Sequence, residues 1–148
     1  DLQFYVGSWS IEGKLGDAPF KGRASFRMPV GNYCTIGTVS YRGENRLESF
    51  SWVGGWDSST GWVTEQGVGS DGGTYTIPWK KASPTVNEGA LTGMLDGKKT
   101  TATVRVEKTG KDEFRITVTD QTEGDESRPD FSYTARRVVR EKKKRAQE

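Results

Sequence analysis

Ten short stretches of alternating residues, joined by connections of only a few residues, leave this chain little choice but antiparallel sheet. No stretch before residue 136 carries a 3.6-residue apolar period. Alternation and turn signals predict strands at about 5–14, 20–28, 33–42, 47–56, 62–69, 73–80, 85–95, 99–107, 113–120 and 130–139. The turns have local causes. Asp96-Gly97 and Asp71-Gly72-Gly73 are hairpin signals. Asp57-Ser58-Ser59-Thr60-Gly61 reads as a type I turn followed by a glycine suited to positive φ. Gly43-Glu44-Asn45 and Thr109-Gly110-Lys111-Asp112 close two more hairpins, and Gln121 to Pro129 reads as a longer polar loop.

Parallel neighbours would need crossovers of a dozen or more residues, so the strands run up and down. Ten such strands expose two edges unless the sheet closes on itself. The expected fold is therefore all-β, a single up-and-down antiparallel barrel of about ten strands, with a two-sheet sandwich as the alternative. Glycines inside the strands (Gly22, Gly37, Gly54, Gly67, Gly89, Gly93) suit sharp bends at barrel corners. Leu, Ile, Val and Phe total only 27 of 148 residues, so the core must draw on five Trp and five Tyr. Strand phase puts Phe20, Ala24 and Phe26 inside, with Tyr75, Ile77 and Trp79, then Ala102, Val104 and Val106, then Phe114, Ile116 and Val118, then Phe131, Tyr133 and Ala135. Arg105 and Arg115 have the opposite phase and are expected to face solvent.

Charge divides the chain. Residues 136–148 hold seven basic and two acidic side chains, which leaves the rest mildly acidic under a total of +2. We read a barrel domain over 1–139 and a basic tail over 140–148, with a short helix expected from about Val139. The tail has no aromatic residues between its charges, so nucleic acid is not expected as a partner. No apolar run is long enough for a membrane-spanning helix. The compartment stays open, because a leader could have preceded Asp1.

The absence of His excludes Ser-His-Asp and Cys-His catalysis and His-ligated zinc or haem. Cys34 alone permits neither an internal disulfide nor a thiolate cluster, and is expected in the core. No metal, cofactor or catalytic residue is assigned. The acidic residues Asp120, Glu123, Asp125, Glu126 and Asp130 lack the calcium-loop order and are expected on a solvated hairpin tip.

The start, Gly7-Ser8-Trp9 with Gly13 four residues on, resembles the opening of calycin barrels. Gly55-Trp56-Asp57-Ser58-Ser59-Thr60-Gly61 is similar to a hairpin of a bacterial lipocalin-like family, domain of unknown function 1579. Phe131-Ser132-Tyr133-Thr134-Ala135-Arg136-Arg137 resembles that family's last strand. The resemblance covers about 4–139 and implies a lipocalin-like barrel with no agreed activity. It also implies that Trp9 packs at the closed end beneath an Arg of the last strand, Arg137 by phase or Arg136 as the alternative.

The candidate binding residues are Trp52, Trp56, Gln66, Tyr75 and Trp79. Three neighbouring strands would bring the rings together. They either line a cavity for a small hydrophobic or amphipathic ligand, or fill a glycine-rich barrel that lacks aliphatic bulk. Gln66 shares phase with Trp62 and Val68 and is taken as an inward polar group or a hydrogen-bonded core residue. Glu48, in phase with Phe50 and Trp52, lies at the cavity mouth or at a solvated strand end. Three functions follow: a non-enzymatic ligand-binding barrel, a filled barrel acting as an interaction module, or a His-free enzyme using Tyr, Glu and Arg. Oligomeric state and ligand identity are not legible.

Overall fold

The computed structural model describes residues 2–44 and 46–139; the basic tail with its expected helix, and Asn45 of one turn, lie outside the described residues. The strands are β1 (Gly7–Leu15), β2 (Ala18–Arg27), β3 (Cys34–Gly43), β4 (Arg46–Asp57), β5 (Trp62–Gly69), β6 (Thr74–Lys81), β7 (Val86–Leu95), β8 (Lys98–Gly110), β9 (Glu113–Glu123), β10 (Glu126–Ser127) and β11 (Phe131–Arg137). Each of β1 to β8 pairs antiparallel with the next. β9 then pairs with both β8 and β11, and β11 returns to β1. Ten strands thus close into one antiparallel barrel, and the two-residue β10 hangs on β9. Closure satisfies both edges that an open sheet would leave bare.

The turns take the backbone that their residues favour. Asp96 and Gly97 both have positive φ (50° and 75°), as a type I′ hairpin requires. Gly61 has φ 72°, and the Asp57 carboxylate accepts hydrogen bonds from the Ser59 amide and hydroxyl at 2.9 and 2.6 Å. The polar loop at 121–129 is shorter than its composition suggests. β9 runs on to Glu123 past a register shift at Asp120 (φ 52°) and folds back through β10.

The start of the chain departs from the expected strand. Leu2–Tyr5 forms a 3-10 turn, and Gly7 (φ 130°) swings the chain into β1. Phe4 and Tyr5 therefore cap one barrel end instead of extending a strand. Arg137 holds them there, donating to the Phe4 and Val6 carbonyls at 2.7 and 2.6 Å and to Asp112 at 2.9 Å. Its guanidinium lies 4.2 Å from the centroid of Trp9, its direct partner across the β1–β11 pairing. Trp9 is fully buried, meets Phe114 edge-on at 4.7 Å and donates to the Tyr5 carbonyl at 2.8 Å. Arg137, not Arg136, is the stacking residue; Arg136 pairs with Glu113 on the surface. The fully buried Trp9 and Phe114 close the barrel floor at this end.

Candidate functional site

Above the floor the rings do not fill the barrel. A cavity of about 660 Å³ extends from Tyr5 and Phe26 near the floor to Leu15, Asp71, Met94 and Pro129 at the opposite end. That volume lies within the range of small-molecule sites. Its wall carries a row of rings contributed by four strands. Tyr133 and Tyr41 have centroids 5.7 Å apart, Tyr41 and Phe50 6.1 Å, and Phe50 and Tyr75 6.5 Å.

Glycines make room for these rings. Gly67 faces Tyr75 across the β5–β6 pair, and a Cβ built on Gly67 would stand 2.4 Å from Tyr75 Cζ. Gly37 faces Trp52 in the same manner, with a Cβ 2.1 Å from the indole. These two glycines are needed so that a cross-strand ring can lie flat over bare backbone, a different reason from the corner bends expected of them.

Five residues were candidates on sequence. Trp52, Tyr75 and Trp79 line the cavity together. Trp56 does not: it keeps the phase of Trp52 and pairs with Val63, but it is 66% exposed. β3 begins opposite Gly55, so Trp56 has a neighbouring strand on one side only and none of the described residues covers its ring. Gln66 faces outward with Val68, because the inward set on β5 is Val63, Glu65 and Gly67. The inward polar group is its neighbour, Glu65.

Register explains what Glu65 does. It pairs with Gly54 on β4 and with Ile77 on β6. Tyr75 and Trp79 flank Ile77 on the same face, at the diagonal positions that long rings reach. Tyr75 donates its hydroxyl to Glu65 Oε1 at 2.9 Å, and Trp79 donates Nε1–H to Oε2 at 3.1 Å. Glu65 is screened from the outer surface yet borders the cavity. Desolvation raises its pKa from 4.5 to about 7, against the opposing pull of the two donors. Burial, then the charge of Glu65, push the Tyr75 hydroxyl far above its ordinary value, so it remains a donor. Tyr41 and Tyr133 are likewise raised, chiefly by burial.

The mouth differs from expectation at one point. Glu123 of the acidic stretch is no solvated tip: it lines the cavity and forms an ion pair with Arg128. Glu48 and Asp71 also line the cavity on that side. Arg105 faces solvent as expected and pairs with Glu88 at 2.7 Å. Cys34 is buried. Among the described residues, no helix is long and apolar enough to cross a membrane.

No family model matches the chain, and no curated protein does. Among solved structures, a similar one is described as a de novo designed fluorescence-activating β-barrel. It is 13% identical, the match covers 93% of this chain and 96% of that chain, and the TM-score is 0.47. At that identity and score the likeness carries neither a ligand nor an activity to this chain.

Proposed function

We propose that this protein is a non-enzymatic barrel, built on a lipocalin-like plan, that holds one small amphipathic molecule in its central cavity. The observation that carries this reading is the cavity of about 660 Å³ with one end capped by Phe4 and Tyr5 and a carboxylate held ready in its wall. Rings supply large contact area at low entropy cost, and a few placed polar groups fix orientation. The resemblance of Gly7-Ser8-Trp9 and the last strand to the lipocalin-like family supports the plan, and the Trp9–Arg137 stack agrees with it.

Trp52 and Trp79 border the cavity and report on it. Titration with fatty acids, hydrophobic amines and aromatic dyes is expected to give saturable quenching, lost in the Trp52→Ala, Tyr75→Ala double variant. A panel with no saturable quenching turns the reading toward the interaction module. Because truncating buried rings costs about 3–5 kcal/mol each, Tyr75→Phe, which removes only a hydroxyl, serves as the folded comparison.

A further inference from the structure

The geometry points to a hydrophobic amine as the guest: an organic cation whose ammonium group meets the Glu65 carboxylate while its carbon skeleton occupies the ring-lined cavity. This rests on the binding reading above and names the ligand class for the same site.

Three observations lead there. The first is hydrogen-bond capacity. An ionised carboxylate offers about four acceptor positions, and Tyr75 and Trp79 take one on each oxygen. Acceptor capacity remains on both oxygens of a group that borders the cavity. The second is the sign of the charge. Leaving aside Glu48, which has an interaction of its own, the carboxylates bordering the cavity are Glu65, Asp71 and Glu123, against a single base, Arg128, among the described residues. Arg128 is already paired with Glu123, so a cation entering by the mouth meets a negative field focused by low-dielectric walls. The third is the wall. Tyr75, Trp79, Phe50 and Tyr41 present aromatic rings to the same space, and ring faces attract cations most strongly when desolvated.

The same features disfavour a carboxylate guest. A second carboxylate beside Glu65 would be repelled, and no described Lys or Arg borders the cavity at that depth to compensate. The perturbed titration of Glu65 agrees, since a desolvated carboxylate with two neutral donors still lacks a counter-charge. The titratable groups facing it are Tyr75 from β6, Tyr41 from β3 and Tyr133 from β11, all with pKa values pushed upward and therefore neutral near pH 8. Gly54 opposite it on β4 brings no charge.

The test compares three guests with one carrier, decylamine, decanol and decanoate, each below its micelle concentration. Binding is followed by Trp fluorescence and calorimetry at pH 8. Decylamine is expected to bind at least tenfold more tightly than decanoate, with decanol between them. Glu65→Gln should weaken decylamine at least tenfold and change decanol less than threefold. Decanoate binding as tightly as decylamine overturns the amine assignment and leaves the binding reading intact, as does a Glu65→Gln variant with unchanged amine affinity. If none of the three binds, both readings fail. The comparison on the parent chain needs no variant, so it decides even if Glu65→Gln folds poorly.

Discussion

Glu65 places a group that water would ionise in a wall that resists its charge, and stability should record the conflict. Its folded pKa of about 7 stands above its ordinary 4.5. A raised folded pKa means that the native state holds the proton more tightly. Stability is then fullest below about 4.5 and is lost as pH rises through 7. The whole shift corresponds to about 3 kcal/mol. Glu65→Gln removes this dependence, since Gln can accept from Trp79 and donate to the Tyr75 hydroxyl. Relative to the variant, the parent's melting temperature should fall by roughly 10 °C between pH 4.5 and pH 8. Parallel melting profiles for the two proteins would contradict the raised pKa. Arg137 belongs to the same scale. Its fork reaches Asp112 and two carbonyls while its plane covers Trp9. Lys cannot reproduce that geometry, so Arg137→Lys is expected to cost about 3 kcal/mol in urea unfolding.

Between elements, pairing of glycine with an aromatic ring sets the shape of the wall. Gly67→Ala would drive a methyl group into the Tyr75 ring, and the ring must swing away from Glu65. Overpacking of this kind costs about 1–3 kcal/mol, and guest affinity should fall with it. Gly54→Ala is the control, because its nearest neighbour would stand at 3.4 Å and no ring needs to move. Equal losses in stability and affinity for the two variants would refute the idea that Gly67 is needed for the ring. The hairpin joining β4 and β5 also shows how readable the site was. Its register pairs Trp52 with Gly67 and Gly54 with Glu65. Once Trp52 and Gly67 are taken as interior, Glu65 follows by alternation and Gln66 must point outward. The error on Gln66 came from setting the phase of β5 by Trp62 and Val68. Those two are exposed apolar residues at 37% and 56%, and single exposed apolar side chains are ordinary on any surface.

For the whole molecule, the prediction concerns coupling between guest, protons and fold. An amine that binds the ionised form of Glu65 must displace a proton below pH 7, so its affinity should fall up to tenfold per pH unit there. Decanol should show no such slope. At a hundred times its dissociation constant, a guest that binds only the native barrel adds about 2.7 kcal/mol of stability. Calorimetric melts with decylamine at pH 8 and pH 5.5 should therefore separate, with the larger upward shift at pH 8. Equal shifts at the two pH values would count against Glu65 as the anchor.

The residue pattern pointed to a barrel ahead of a two-sheet sandwich. Alternation, turn residues and short connections are local properties, and they left antiparallel closure as the economical way to satisfy ten strands. The floor came from the resemblance, which implied Trp9 beneath an Arg of the last strand; phase favoured Arg137 and left Arg136 as the alternative, and the pairing of β1 with β11 sets Arg137 opposite Trp9. Tertiary structure alone decided that the rings leave a cavity, that β3 starts too late to cover Trp56, and that Tyr75 and Trp79 reach one carboxylate diagonally. These depend on register, strand ends and the volume enclosed when the sheet closes. Each is set by contacts between residues distant in the chain, which no local pattern encodes.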